Sequence, residues 1–480
     1  MRFLQYTITI IIFLGFCAKP LLAQEQLGLK LDNYAGVNSV LLNPALPVTS
    51  PYRWDVNLIS FGGFFDNSYG FIENASAFDM IRASDIRSRP DFLEDPASMP
   101  ENPLIADYFT SNNKKWASGL VSVMGPSMML NLDSDWGFAL YTQFRMGGQT
   151  RQLPTTLDYY PYDAVPRDQR ISATPFKGAL MAWGELGLSA SKKIDTWYGL
   201  MALGGTLKLI GGIEGVYGAV NDDFLLTKRG TDTLQIQSVD SEFGFTTSNA
   251  DIYSNSSPMQ NINGFGAGLD FGIQFVFEGE PEKYQWRVGA ALVDVGRVNF
   301  VRNASSYQIE TEGPFDLVYS EYENLTNPID VAARLSEESL GDPSAAFQND
   351  RFNIWLPAAL NIHGDYAFSD NFYLGGALIQ RIPIGKHYID RNNVFTLAPR
   401  IEYRWFGLLL PANVLNYQQV HMGLAARLGV VTIGTDNLGS YFKQSKFTGS
   451  DFYFALKLNP FKLKGSRGSR RGGQVRCYDF

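Results

Sequence analysis

The charged residues that could take part in chemistry are spread singly along segments of alternating polarity. Seven of them share the polar faces of such segments: Arg145, Asp270, His363, Asp365, Arg400, Glu402 and Arg404. Together they could bind a polar ligand inside the fold. They could equally form structural ion pairs, because buried charges need partners and structural pairs are common. The structural interpretation is favoured.

Signals of catalysis are poor. The three histidines, His363, His387 and His421, lie on different segments without the spacing of metal ligands. No Gly-x-Ser-x-Gly elbow and no phosphate-binding loop occurs. Ser369 is near His363 in sequence, but it falls in a predicted turn. We therefore expect no enzyme, no metal site and no cofactor.

The polar side chains are carried by long segments in which every second residue is apolar. The clearest are 136–146, 264–277 and 394–405. This period of two indicates β-strands. At 11 to 14 residues these strands exceed the five or six usual in globular proteins, and they suffice to cross a bilayer at a tilt, which takes about 9 to 11.

Alternation alone does not separate a soluble β-sandwich from a membrane barrel, but the connections do. Fourteen strands are predicted: 52–61, 116–130, 136–146, 181–192, 197–210, 264–277, 286–300, 354–367, 372–382, 394–405, 407–416, 421–428, 430–437 and 451–459. Most even-numbered strands are followed by short turns, and most odd-numbered ones by longer loops. This rhythm is typical of a transmembrane barrel. The sequence thus predicts an all-β, transmembrane antiparallel β-barrel of about 14 strands; the competing class is a secreted all-β protein.

Four regions follow along the chain. Residues 1–23 have the basic start, short apolar core and small terminal residue of a signal peptide. Residues 24–50 are predicted to be an N-terminal plug segment inside the barrel, because they are polar yet carry several apolar side chains. Residues 51–461 form the barrel, and 462–480 a basic Gly/Arg-rich tail. Within the long loop 301–352, helical spacing is found at 327–340.

Composition limits the partners. The chain of 480 residues has a formal net charge of −8, which disfavours nucleic acid. Once residues 1–23 are removed, Cys477 is the single cysteine, so no intrachain disulfide forms. The expected partners are outer-membrane lipid, a hydrophobic small-molecule ligand, and a periplasmic or secretion partner that binds the basic tail. A solvated tail without a partner is equally compatible with its composition.

The Asn43, Pro44 and Ala45 motif ahead of the first strand resembles the FadL-like long-chain fatty-acid transporter superfamily, as does 356–366. Residues 36–39, 43–45, 53–58 and 423–438 are similar to an uncharacterised Bacteroidota family of outer-membrane barrels. The resemblance implies a fourteen-stranded barrel whose N-terminal segment plugs the lumen. Without it, the Asn-Pro motif reads only as a turn.

The expected function is passive transport of hydrophobic or amphipathic small molecules across the outer membrane, with both mature termini in the periplasm. This expectation depends on the resemblance and on the glycines at 264, 266 and 268, which leave space in the lumen or let a plug approach closely. Some Bacteroidota barrels of this kind serve type IX secretion. The alternative is therefore a scaffold barrel associated with surface protein secretion.

Overall fold

The computed structural model describes residues 25–83, 86–88, 104–109, 115–132, 135–154, 168, 170–197, 199–230, 232–247, 262–277, 284–322 and 324–459. The predicted signal peptide (1–23) and basic tail (462–480) lie outside the described residues. Among the described residues, no helix is long and apolar enough to cross a membrane.

Fourteen antiparallel strands close into a barrel, which confirms the predicted fold class. We number them in chain order: β1 (Trp54–Asn67), β2 (Lys115–Met124 and Ser127–Asn131), β3 (Trp136–Leu153), β4 (Phe176–Thr196), β5 (Gly199–Val220), β6 (Gly264–Phe277), β7 (Trp286–Phe300), β8 (Phe352–Trp355 and Ala359–Ala367), β9 (Phe372–Arg381), β10 (Val394–Glu402), β11 (Phe406–Leu409 and Ala412–Leu415), β12 (Gln419–Met422 and Leu424–Leu428), β13 (Val431–Thr435) and β14 (Ser450–Leu458). Each strand pairs with its neighbours in sequence, and β1 pairs with β14, from Val56 opposite Leu458 to Phe65 opposite Ser450.

The faces of the wall follow the alternation of the sequence. On β6, Phe265, Leu269 and Phe271 point outwards and are exposed, whereas Asp270 and Gln274 point inwards and are buried. An apolar exterior around a polar interior is the pattern of a transmembrane barrel. The end of the barrel where even-numbered strands meet the next strand is here called the short-turn end. Aromatic side chains such as Trp136, Trp286 and Trp405 are exposed there, as in the interfacial girdles of such barrels.

Four strands of the wall are interrupted. Prolines at 126, 357 and 411 lie in the breaks of β2, β8 and β11, since proline has no N–H for the ladder. The fourth break, in β12, is at Gly423, whose N–H donates to the carbonyl oxygen of Pro411 (2.7 Å). Side-chain amides satisfy some of the carbonyl groups freed nearby: Asn57 donates to those of Met124 and Gly125 at 3.3 and 3.2 Å.

At the opposite, long-loop end, several strands continue beyond their predicted limits. β4 begins at Phe176 and β5 ends at Val220, where 181 and 210 were predicted. Glycines at 211, 212, 215 and 218 hide the alternation there. The wall continues because β5 pairs with Val239–Thr246, which in turn pairs with Ala304–Thr311, next to Phe347–Asn349.

Two small sheets, two α-helices and two 3-10 helices are found among the described residues of this end. One sheet contains Arg170–Ala173, Phe224–Lys228, Thr233–Ile236 and Phe315–Val318, and the other Gly70–Ala75, Ile86–Ser88, Leu104–Tyr108 and Gln444–Phe447. The α-helices are Ala77–Arg82 and Pro328–Leu340, and the 3-10 helices are Tyr319–Tyr322 and Leu438–Tyr441. The helical spacing found at 327–340 is thus confirmed, with Asn327 as the N-cap.

Candidate functional site in the barrel lumen

Residues 25–50, called the N-terminal segment below, lie against the inward face of the barrel. The segment contains the short α-helix Leu27–Lys30 and the 3-10 helices Gly36–Leu41 and Pro47–Thr49. Its polar groups bond to inward-facing side chains around the circumference. Gln26 donates to Ser122 on β2 (2.8 Å), Thr49 to Gln274 on β6 (2.8 Å), and the Gly28 N–H to Tyr453 on β14 (3.1 Å).

The predicted motif Asn43, Pro44 and Ala45 is fully buried at the β5–β8 wall. The Asn43 Nδ2 donates to the carbonyl oxygens of Ile273 (3.0 Å) and Ala290 (3.3 Å) and lies 3.1 Å from His363 Nε2. Its Oδ1 accepts the N–H of Ala45 (2.8 Å), which makes the local turn. The motif therefore both turns the chain and fixes it to the wall.

Glycines of the wall make this close approach possible. A Cβ atom on Gly204 would lie 2.2 Å from the carbonyl oxygen of Pro44, and one on Gly272 would lie 1.9 Å from Asn43 Oδ1. The glycines singled out from the sequence at 264, 266 and 268 instead face the neighbouring strands and their side chains. The room for the segment is therefore made by Gly204 on β5 and Gly272 on β6, and not by the glycines at 264, 266 and 268.

Six ionisable residues form a charge-balanced cluster near the short-turn end, called the lower cluster. They are Asp32, Arg287, Asp365, Arg400, Glu402 and Arg427. Asp365 accepts from both Arg287 and Arg400 (2.5 Å for the latter), and Arg400 also pairs with Glu402. Asp32, from the N-terminal segment, pairs with Arg427 (2.6 Å), and the Asn33 N–H donates to Glu402 (3.3 Å).

A second balanced cluster, the mid-lumen cluster, lies further up. Its members are Glu25, Lys30, Arg145, Glu185, Lys208, Asp270, Asp294 and Arg391. Asp294 is its centre: it accepts from Arg145 (2.9 and 3.2 Å) and from Lys208 (2.6 Å). Asp270 pairs with Lys208 (2.9 Å). Arg145 also lies over the ring of Trp183.

Six of the seven predicted polar candidates therefore face the lumen, in two clusters or, for His363, against Asn43. Arg404 differs: β10 ends at Glu402, so Arg404 lies in the following turn, half-buried, with its guanidinium over Trp405. Alternation predicts a residue's face only while the strand continues. The prediction that this strand continues to 405 was therefore wrong, since β10 ends at Glu402.

Sequence reasoning missed most partners of these residues. Lys208 and Arg287 follow the same alternation and could have been found. Asp294 could not, because it occupies a β-bulge with a positive φ of 58°, where both Val293 and Asp294 turn inwards. The Asp270 carboxylate accepts the bulge N–H of Asp294 (2.7 Å). Bulges shift the alternation and leave little trace in sequence.

Burial and charge act on the ionisable groups of the N-terminal segment. Burial lowers the pKa of Lys30 to about 8, against the opposing effect of Glu25. For Asp32, burial favours the neutral form, but the charge of Arg427 and a hydrogen bond from the Tyr34 N–H outweigh it and lower the pKa. Asp32 therefore stays ionised in place, whereas Lys30 loses its charge easily.

A small cavity of about 20 Å³ lies between the segment and β7–β8, lined in part by Lys30, Asp32, Arg287, His363 and Asp365. It has room for roughly one water molecule. Within the described residues, no group of three or more His, Cys, Asp or Glu side chains is placed to hold a metal ion.

Comparison with known proteins gives a family match and several similar solved structures. A family model described as "Family of unknown function (DUF5723)" matches residues 44–436. Among curated proteins no match is found. The P. putida toluene transporter TodX is similar in structure with a TM-score of 0.41 and 9% identity, covering 89% of this chain and 95% of that one.

Two other solved structures are similar at lower scores. The Ralstonia pickettii toluene transporter TbuX has a TM-score of 0.22 and 8% identity, with 89% and 94% coverage. The translocator domain of the Neisseria meningitidis autotransporter NalP has 0.25 and 8%, with 84% and 87% coverage. At such identities the likeness concerns the barrel fold alone. By the family match, which spans most of its length, the chain belongs to DUF5723.

Proposed function

We propose that this chain is an outer-membrane transport barrel for amphipathic small molecules, and that the N-terminal segment closes its lumen at rest as a plug. The observation that carries the proposal is how the leucines of the segment are buried. Leu27, Leu29, Leu31, Leu42 and Leu46 pack in one apolar cluster with inward-facing wall residues. The aliphatic wall residues of this cluster are Ala291, Val293, Ala359, Ala377, Ile379, Val394, Ala398, Leu409, Leu415, Ala425 and Ala455, and its aromatic ones are Phe64, Trp116 and Tyr453.

The wall behind the segment is therefore apolar in one band and ionic in two clusters. If the segment leaves, both kinds of surface line the passage. A solute with an apolar body and a polar group matches this lining better than a pure hydrocarbon, because an unpaired charge next to a hydrocarbon is costly. This supports the amphipathic member of the two predicted solute classes.

Release of the segment is physically feasible because hydrogen bonds, ion pairs and apolar contacts hold it, and a solute can replace each of these. The wall around it is a closed ladder that does not need the segment to complete its strand pairing. We place the short-turn end in the periplasm, as is usual for such barrels. The segment then enters the lumen from the periplasmic end, just ahead of Trp54.

Deletion of residues 27–46 tests the proposal in planar bilayers. We expect the single-channel conductance to rise from near zero to stable open levels, and swelling assays to show entry of small polar solutes. Deletion of the tail 462–480, of similar length, is the matched control and should leave the channel closed.

If the channel stays closed after deletion of 27–46, the wall side chains themselves close the lumen and the transport proposal is wrong. A scaffold role in surface secretion would then be the better hypothesis. In that case the tail deletion should release a bound periplasmic partner, whereas transport through the barrel predicts no such loss.

A further inference from the structure

The connection between β9 and β10, residues 382–393, folds inwards from the long-loop end. We call it the outer loop. Ile389 and Asn392 are 3% and 1% exposed, so this half of the loop is part of the interior. The other half faces solvent, as the exposed Lys386 shows. The outer loop therefore connects the outside of the barrel with the lumen.

Three strands of the wall fix the outer loop in place. The Ile389 N–H donates to the carbonyl oxygen of Trp355 on β8 (3.0 Å), and the Trp355 N–H donates to that of His387 (2.9 Å). Asp390 pairs with Arg381 at the end of β9 (2.9 Å) and with Arg151 on β3. These contacts leave the next residue, Arg391, directed into the lumen.

Arg391 binds the N-terminal segment. Its Nε and Nη2 donate to the two carboxylate oxygens of Glu25 at 2.8 and 2.6 Å. The two side chains are only 10% and 2% exposed, so water competes little for either. Such a two-bond fork is the strongest common form of ion pair. The remaining charged neighbours are further away: Lys30 is 3.6 Å from Glu25, and Asp294 is 3.7 Å from Arg391.

We propose that the outer loop and the N-terminal segment form one coupled gate, in which Arg391 holds Glu25 and movement of the outer loop releases the segment. The inference rests on the proposed function and adds its regulation: the signal to open arrives at the long-loop end. Because coupling is reciprocal, departure of the segment also loosens the outer loop.

Planar-bilayer recordings of Glu25→Gln, Arg391→Gln and the double variant test the coupling. Each single variant removes one member of the pair, and we expect openings roughly tenfold more frequent than in the unmodified protein. The double variant should open no more often than the more active single variant, since partners in one contact are not additive. Lys386→Gln is the matched control: its ion pair with Glu242 (2.6 Å) is in the solvent-facing half of the same loop, where the lysine is 69% exposed, so the pair holds the loop only weakly and its loss should leave the opening frequency unchanged.

Hydrogen exchange gives a second measurement that does not depend on conductance. In Arg391→Gln, amides of residues 27–42 should exchange about tenfold faster, while those of β3–β7 keep their rates and so report an intact barrel.

Unchanged exchange at 27–42, or additive effects in the double variant, would overturn the coupling. If deletion of 27–46 opens the channel while both single variants stay closed, the coupling is wrong and the transport proposal stands. If that deletion also stays closed, the transport proposal itself fails.

Discussion

The two sides of the barrel wall are built differently. Strands β3–β7, the tall flank, have 14 to 22 residues each and no break in their pairing other than bulges. Strands β10–β14, the short flank, have pieces of 4 to 9 residues, interrupted around Pro411 and Gly423. Long uninterrupted ladders satisfy their own backbone groups, so the tall flank needs less help from the lumen.

The N-terminal segment binds polar and charged side chains of the short flank. The Leu27 N–H donates to Asp436 just after β13 (3.3 Å), and the Gly28 N–H to Tyr453 on β14. Asp32 pairs with Arg427 on β12. On the tall flank, the wall residues Arg145, Lys208, Asp270 and Asp294 mostly neutralise one another. The segment therefore takes part in the charge balance of the short flank, whereas Asn43 fixes it to the tall flank through the carbonyl oxygens of Ile273 and Ala290.

The largest expected effect comes from removing the centre of the mid-lumen cluster. Asp294→Asn leaves Arg145 and Lys208 short of a negative charge in a buried site, and should lower the free energy of unfolding by about 3–5 kcal/mol. Asp32→Asn should cost less, because Arg427 still donates to the carbonyl oxygens of Tyr403 and Arg404, both at 2.9 Å.

Urea unfolding in a bilayer measures the free energy of unfolding of both variants. Asp350→Asn, at an exposed pair, is the control and should stay within about 0.5 kcal/mol. Equal costs at 294 and 32 would remove the distinction between the flanks.

The next effect concerns the outer surface. Phe271 lies at the middle of β6 and is 57% exposed. Phe271→Arg should cost about 2–4 kcal/mol, the price of a cation at the bilayer midplane. Ile433, exposed on β13 only two residues from the strand start, is nearer the interface, so Ile433→Arg should cost about 0–1 kcal/mol. A neutral Phe271→Arg would mean that this face does not contact lipid.

The flanks also differ in how far sequence predicts them. In the tall flank, apolar residues such as Phe138, Leu140 and Phe271 alternate with small or polar ones, so the strands follow from the sequence except at the glycine-rich end of β5 and at the bulge of β7. In the short flank, Pro411 and Gly423 break the pattern, and the strand predicted to 405 ends at Glu402. All fourteen strands were nevertheless found, because turn spacing supplements alternation.

The ion pairs of the lumen could not be predicted in the same way. Glu25 and Arg391 are far apart in sequence and belong to no strand, so alternation does not apply to them. Asp294 is hidden by its bulge. Which of two inward-facing charges meet depends on strand register and on the path of the segment through the lumen, and both are set by tertiary packing.

A steric variant tests the dependence of the short flank on the segment. A Cβ atom on Gly28 would lie 2.3 Å from the Ala425 Cβ and 2.5 Å from the Tyr453 hydroxyl. Gly28→Ala should therefore cost about 1–3 kcal/mol through overpacking. Amide hydrogen exchange should quicken in β12–β14 and stay unchanged in β3–β7. Uniform quickening around the barrel would mean that the segment supports both flanks equally.

The last effect is a dependence on pH that distinguishes Lys30 from Asp32 in the N-terminal segment. With its pKa lowered to about 8 in the docked segment, Lys30 is neutral there between pH 8 and about 10.5, whereas a released, solvated lysine stays charged up to its usual pKa. The released state then binds more protons, so raising the pH through this window stabilises the docked state, by up to about tenfold per unit. Channel openings should thus become rarer between pH 8 and 10.

Two variants test this assignment. Lys30→Met should abolish the fall in opening frequency with pH. Asp32→Asn should keep it, because the pKa of Asp32 is lowered and that carboxylate is ionised throughout the window. If the opening frequency still falls between pH 8 and 10 in Lys30→Met, another group titrates in this window. The contacts of Lys30 in the mid-lumen cluster would then not help to close the channel.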